Sequence, residues 1–275
     1  VAQDRGIDTI VRFFGRELAA QLVAEGRRAD LLVANNVMAH VPDLNDFVGG
    51  MARVLAPHGV VTIEVPHLMR LIDGNQFDTI YHEHFSYFSF LAAQRVLAAH
   101  GLEVFDVAEL ASHGGSLRLY AQLEATGRRP VQDRVRDLAD RERALGYDTL
   151  QAHLSFADRV METKWGLLDF LISVRRDGKR VAGYGAPGKG NTLLNYCGVR
   201  SDLLDFTVDR NPYKQGMFLP GTHIPIRPPE ALEEERPDYI LILPWNLKHE
   251  IVAQLAGARA WGARFVVPIP RVEVL

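Results

Sequence analysis

Residues 29–66 read ADLLVANNVMAHVPDLNDFVGGMARVLAPHGVVTIEVP. An apolar strand (Asp30 to Ala34) runs into a polar turn, a helix follows, and a second strand occupies Val60 to Val65. Within the helix, Leu44, Phe47, Val48, Met51, Val54 and Leu55 recur at spacings of three and four, and Asp43 stands where an N-cap accepts a backbone N–H. Pro57 to Gly59 stop the helix before the second strand. Strand, helix and strand with short connections form a parallel crossover unit, which places this stretch in an open α/β sheet.

The flanks extend that sheet. Upstream, Thr9 to Leu22 has the pattern of another helix. Downstream, a helix over Leu91 to Ala99 ends at Gly101, and LEVFDVAEL and SLRLYAQLE are strand-like runs separated by Ser112 to Ser116. That hairpin is expected to close the first sheet. Arg128 to Arg176 is rich in charge and helix formers, with apolar residues at helical spacing from Leu154 to Ile172, and predicts two connecting helices. A second α/β region opens with KRVAGYG, passes through a helix near Asn191 to Cys197 and a strand at LLDFTVD, then shows the continuous apolar strands DYILILP and RFVVPIP around a helix over Lys248 to Trp261. The expected organisation is a first α/β domain over residues 1–125, connecting helices over 126–178 and a small doubly wound domain over 179–275.

Composition narrows the partners. With 275 residues, 47% of them hydrophobic and 24% charged, the chain can bury a full core. A formal charge of -3 gives no basic excess for neutralising phosphate backbones, so nucleic acid is not an expected partner. The single Cys197 forms no intramolecular disulfide, and no apolar run reaches the ~18 residues of a membrane span. The N-terminal VAQDRGIDTIVRFF has no signal-peptide pattern, and a cytoplasmic setting is expected. It also lacks an initiator Met and enters the fold in mid-pattern, so a fragment of a longer protein is expected.

GYGAPGKGN contains G-x-G-x-x-G at Gly183, Gly185 and Gly188, between a strand and a helix, and Asp209 ends the following strand. Read literally, this is an NAD-binding fingerprint with a ribose-binding acid. Pro187 and Lys189 inside the turn suit the terminal charges of a nucleotide diphosphate at least as well, and Lys214 in DRNPYKQG offers a second positive charge. Gly185, Ala186, Lys189, Asn191, Asp209, Lys214, Trp245 and Asn246 all fall at or just beyond strand ends, the edge where open α/β sheets bind ligands. Trp245 either stacks on a base there or packs on the helix that follows.

YHEHFSYFS, residues 81–89, places two histidines around a glutamate among aromatics. Histidines at i and i+2 share a face only in a strand, the helical H-E-x-x-H pattern is absent, and no cysteine or aspartate pair completes a ligand set, so no metal is expected. An extended segment would turn His82 away from Glu83 and His84. Phe85, Tyr87, Phe88 and Phe90 read as core or pocket wall. An imidazole, titrating near ~6.5, is a suitable general base.

Residues 29–66 resemble the second half of a class I S-adenosylmethionine-dependent methyltransferase. YHEHFSYFS, SHGGSLRLY, GYGAPGKGNTLLNYCG, DRNPYKQG and LPWN narrow that likeness to the sugar C-methyltransferases acting on nucleotide-linked keto-deoxysugars, over essentially the whole chain. The resemblance implies a partial class I methyltransferase (Rossmann-like) domain followed by a second Rossmann-like α/β domain that helps hold the sugar nucleotide. It implies S-adenosylmethionine bordered by Asn35, Asn36 and Val37. His84 corresponds to the candidate general base, Tyr81 and Glu83 to its active-site companions, and His40 to a position near cofactor and substrate. The family's zinc-binding N-terminal module and first glycine-rich strand are missing from this chain. A base that takes a proton next to a ketone generates an enolate, whose carbon accepts the methyl group; the resemblance points to carbon 3 beside a 4-keto group. Two alternatives stand beside this: an NAD-dependent oxidoreductase using the glycine loop, and a non-catalytic nucleotide-sugar-binding fragment.

Overall fold

The computed structural model describes residues 1–275 and divides them into two compact units. Unit 1 comprises Val1–Met69 and Glu83–Asp148; unit 2 comprises Arg70–His82 and Thr149–Leu275. No helix is long and apolar enough to cross a membrane.

Unit 1 begins with α1 (Arg16–Ala24), β1 (Ala29–Asn35), α2 (Leu44–Val54) and β2 (Leu55–Pro66), after which α3 (Leu68–Asp73) carries the chain into unit 2. On its return come α4 (Phe90–Ala98), β3 (Leu102–Leu110), β4 (Ser116–Leu123) and α5 (Asp133–Ala144). The sheet order is β1-β2-β4-β3. β1 and β2 are parallel, with Ala34 opposite Ile63, while β4 lies antiparallel between β2 and β3, so the hairpin closes the sheet by inserting its second strand. Val61, Ile63 and Val65 of β2 are fully buried beneath Phe47, Val48 and Met51 of α2 and Phe90 and Leu97 of α4. The Asp43 carboxylate caps α2 by accepting the Asp46 N–H at 2.8 Å.

Two expectations change here. The upstream helix starts at Arg16 instead of Thr9, because the Asp46 carboxylate, reaching across from α2, accepts the Arg16 N–H at 3.1 Å and fixes the start after Gly15. YHEHFSYFS is not an extended segment: a 3-10 turn over Phe77–Thr79 leads into bends, and only Phe88 makes a strand-like bridge, with His67. Residues 82–83 lie in a turn, so strand alternation does not set the direction of His82.

Unit 2 contains α6 (Leu150–Leu154), α7 (Phe156–Arg176), β5 (Val181–Tyr184), α8 (Gly188–Cys197), β6 (Thr207–Val208), β7 (Ile226–Arg227), α9 (Ala231–Glu235), β8 (Tyr239–Ile242), α10 (Lys248–Gln254), β9 (Arg264–Val267) and β10 (Glu273–Val274). Its sheet order is β10-β9-β8-β5-β6-β7, parallel throughout except for β10. α7 and α8 cover one face through Leu167, Leu171, Leu193 and Leu194, and Phe206, Ile240, Ile242, Ile251 and Phe265 fill the other. The chain leaves β5 for β6 on one side and later returns to β8 on the other, which makes the carboxyl ends of β5 and β8 a topological switch point. The helix expected over Lys248 to Trp261 is α-helical only to Gln254 and tightens to 3-10 geometry from Ala256. Residues 126–178 do not group as one connector: Val135, Leu138 and Ala139 of α5 join the core of unit 1, whereas α7 is part of unit 2.

Candidate functional sites at two sheet edges

In unit 1 the parallel strands β1 and β2 end side by side, Asn35 opposite Glu64. Asn36 turns the chain with φ 53° and donates its N–H to the Glu64 carbonyl at 2.8 Å. A 3-10 turn, closed by the His40 N–H on the Val37 carbonyl at 2.9 Å, buries Met38 and Ala39 and leaves His40 half-buried. The Ala39 carbonyl accepts the N–H groups of Phe85 (2.9 Å) and Ser86 (3.3 Å), which ties the YHEHF stretch to this turn. The His40 and His84 rings consequently meet edge to face, centroids 4.8 Å apart, with Tyr87 edge-on to His84 at 5.6 Å. Asn35 and Asn36 are exposed beside them on the chain, as is Glu83, and Val37 is half-buried. Tyr81 falls in the stretch grouped with unit 2.

Two carboxylates supporting this edge were not visible in the sequence. Glu64, 6% exposed, accepts from Ser112 Oγ at 2.9 Å and from Arg118 Nη2 at 2.7 Å. Burial works against its charge, but the hydrogen bonds from Arg118 and Ser112 together with the Arg118 charge outweigh it and hold the carboxyl below its ordinary range. It thereby anchors the Ser112–Gly114 turn, where the exposed His113 has φ 56°. Glu142 of α5 is fully buried. Its Oε1 lies 2.7 Å from both His67 Nε2 and the Phe90 nitrogen, and its Oε2 accepts the Leu91 N–H at 2.9 Å. Burial opposes this charge too, and the His67, Leu91 and Phe90 donors outweigh it, leaving the Glu142 carboxyl below its ordinary range. A carboxylate from a distant helix thus caps α4 immediately after the segment that carries His84.

In unit 2 the expected residues gather at the carboxyl ends of β5, β6 and β8. Asp209 accepts the N–H groups of Ala186 and Asn211, each at 2.8 Å, and lies 3.5 Å from Lys214 Nζ, which itself donates to the Ala186 carbonyl at 2.8 Å. The acid suggested for a ribose is therefore engaged by two loops of its own fold. Gly185 has φ 88°, and a Cβ there would stand 2.7 Å from Pro244, so the turn requires glycine. Beyond it, α8 presents the N–H groups of its first turn, and Asn191 in that turn has a buried Oδ1 without a hydrogen-bond partner. Lys189 Nζ donates to Asn246 Oδ1 at 2.8 Å and sits 4.8 Å from the centroid of the Trp245 ring. Trp245 is half-buried and donates its indole N–H to Asp78 at 2.6 Å. Asp78, another residue that sequence reading passed over, is fully buried. Burial pushes its carboxyl up to about 6, against the Trp245 hydrogen bond and the Lys189 charge, and burial likewise lowers the Lys189 ammonium.

Cys197, the chain's one cysteine, is free and buried, and burial pushes the thiol up to about 12.

Family models match both parts of the chain: a methyltransferase domain over residues 5–107 and a C-methyltransferase C-terminal domain over residues 111–270. The chain is 39% identical over all of its 275 residues to the C-methyltransferase NovU of Streptomyces niveus and spans 65% of that protein's length. Among solved structures, the methyltransferase in complex with the Haloferax volcanii Trm112 methyltransferase activator aligns with 35% of this chain and 55% of its own at 13% identity and a TM-score of 0.31. A methyltransferase from Thermotoga maritima aligns with 34% of this chain and 55% of its own at 17% identity and a TM-score of 0.29. Overlaps of that extent leave the fold to rest on the strand order of each unit. The match over residues 111–270, more than half of the chain, establishes that the chain belongs to the family defined by the C-methyltransferase C-terminal domain.

Proposed function

We propose that the protein containing this chain transfers a methyl group from S-adenosylmethionine to a carbon next to the ketone of a nucleotide-linked keto-deoxysugar. The observation that carries this reading is the His40–His84 pair at the carboxyl end of β1, joined to the Asn35–Val37 turn through Ala39. That edge fits the methyl donor: Asn35 and Asn36 offer exposed carboxamides for its polar groups, and Val37 an aliphatic wall. S-adenosylmethionine, when bound there, supplies an electrophilic methyl group.

His84 takes the proton from the carbon beside the ketone, the C–H electron pair moves into the adjoining C–C bond, and the carbonyl oxygen becomes an enolate oxygen. His40, in edge contact with His84, holds that imidazole in place. Tyr81 and Glu83 orient the sugar or hydrogen-bond its oxygen, where a donor matters most as charge develops. In unit 2, Lys189, the first turn of α8 and Trp245 form a cationic and aromatic edge suited to a nucleoside diphosphate, with Lys214 and Asp209 fixing the loops around Ala186. Asn191 and Asn246 supply carboxamides at the same edge.

The test uses the full-length protein with methyl-labelled S-adenosylmethionine and a nucleotide-linked 4-keto-deoxysugar. Label should enter the sugar, and His84→Ala should reduce turnover by at least about 100-fold. Label transfer that proceeds undiminished in His84→Ala removes His84 as the base. Label transfer to no ketosugar defeats the substrate assignment.

A further inference from the structure

We propose that Asp78 is a positioning residue: its buried carboxylate locks the Trp245 indole beside Lys189, so that a nucleoside diphosphate held at this edge also sets the Arg70–His82 segment that bears Tyr81. The inference rests on the nucleotide reading of unit 2 given above.

Asp78 occupies an expensive position for what it does locally. It is fully buried, one oxygen accepts the Trp245 indole N–H at 2.6 Å, and the other has no hydrogen-bond partner. A neutral acceptor would hold the indole without burying a charge. The charge strengthens the bond from the indole N–H and is favoured further by Lys189, whose ammonium lies over the same ring and is lowered by its own burial while Asp78 counteracts that. Asp78, Trp245 and Lys189 therefore form one chain of contacts that ends at Asn246, at the mouth of the switch point between β5 and β8.

The segment holding Asp78 is mounted on unit 2 at further points. Asn75 donates to the Arg159 carbonyl at 3.0 Å and lies 2.6 Å from Thr163 Oγ1, and the Phe77 ring packs on Tyr196 at 5.2 Å. Tyr81 follows Asp78 by one helical turn's worth of sequence, before the chain leaves unit 2 at Glu83. Contacts to the remote end of the substrate are thus transmitted by Trp245 and Asp78 to a segment implicated in chemistry, where binding energy improves orientation and not affinity alone.

The experiment measures thymidine diphosphate binding by calorimetry and methyl-transfer kinetics in the full-length protein. Asp78→Ala should weaken thymidine diphosphate binding about tenfold and lower kcat, not only raise KM. Asp78→Asn, which keeps an acceptor for the indole but loses the charge facing Lys189, should restore most of the kcat lost while leaving thymidine diphosphate binding weakened. Trp245→Phe keeps a ring but loses the N–H and should reproduce the kcat defect, and adding Asp78→Ala to it should add no further loss. Losses that add independently overturn the proposal, as does normal kcat in Trp245→Phe, and this second result holds even where Asp78→Ala does not fold. Wild-type protein that turns over ketosugar but ignores thymidine and uridine diphosphates overturns the nucleotide reading, and the proposal with it. Normal nucleotide binding with additive mutants overturns the Asp78 proposal alone.

Discussion

Replacing Glu142 with alanine removes the acceptor for three buried donors at once: His67 Nε2–H and the backbone N–H groups of Phe90 and Leu91. Each charge-assisted bond contributes about 1.5–3 kcal/mol, and stranding one side of a buried pair costs about 3–5 kcal/mol, so a loss of about 4 kcal/mol is expected after overlap between the three is discounted. Glu142→Gln keeps one acceptor but turns an amide donor toward N–H groups, and about 2 kcal/mol is expected. Hydrogen exchange locates the damage: peptides covering α4 and the His84 segment should lose protection. Because Trp165, Trp245 and Trp261 all lie in unit 2, urea unfolding followed by tryptophan emission should change much less. The sign of the pH dependence follows from the lowered Glu142 carboxyl: its contribution is present above the unfolded value near ~4.3 and is lost as pH falls through the folded one. Wild type and Glu142→Gln should therefore converge in acid. Full protection of α4 in Glu142→Ala at neutral pH would refute the capping argument.

Three further outcomes can be checked directly. Gly185→Ala forces a side chain into a turn with φ 88° and against Pro244, and urea unfolding should register a loss of about 2 kcal/mol in unit 2. Cys197, buried with its thiol pushed up to about 12, should resist iodoacetamide at pH 8 in the native protein and react once the protein is unfolded, as mass spectrometry would show. Asp78 has a folded pKa raised to about 6, so its contribution to stability is fully present below the unfolded value near ~3.9 and is lost as pH rises through 6. Between those limits unit 2 should lose on the order of 3 kcal/mol in wild type, and Asp78→Asn should not show that component.

The strand–helix–strand order of residues 29–66 was legible because the apolar spacing and the Asp43 cap are local signals, and both survive into β1, α2 and β2. The continuous apolar runs at β8 and β9 likewise announced strands buried on both faces. What escaped was set by contacts distant in sequence. The start of α1 depends on Asp46, the acceptors for the Phe90 and Leu91 N–H groups beyond the local Ser89 cap of α4 on Glu142, and the orientation of Trp245 on Asp78, 167 residues away. Asp78 and Glu142 look like surface carboxylates in a sequence, since nothing near them predicts burial, and Glu64, inside the apolar run Val60 to Val65, gives no sign there of its partners Ser112 and Arg118. The His40–His84 encounter depends on the Ala39 carbonyl holding Phe85 and Ser86, a link with no periodic signature. Motif likeness singled out the two histidines; only the fold brings their rings together.

Carbon methylation beside a ketone, driven by His84, is tested most directly by the position of a carbon-13 methyl label. The full-length protein is incubated with methyl-labelled S-adenosylmethionine and a nucleotide-linked 4-keto-deoxysugar, and the product is examined by carbon-13 NMR. A methyl group bound to the ring carbon next to the ketone is expected, with its near absence in His84→Ala. A methoxy signal, or a carbon-bound methyl formed equally well without His84, would contradict that expectation.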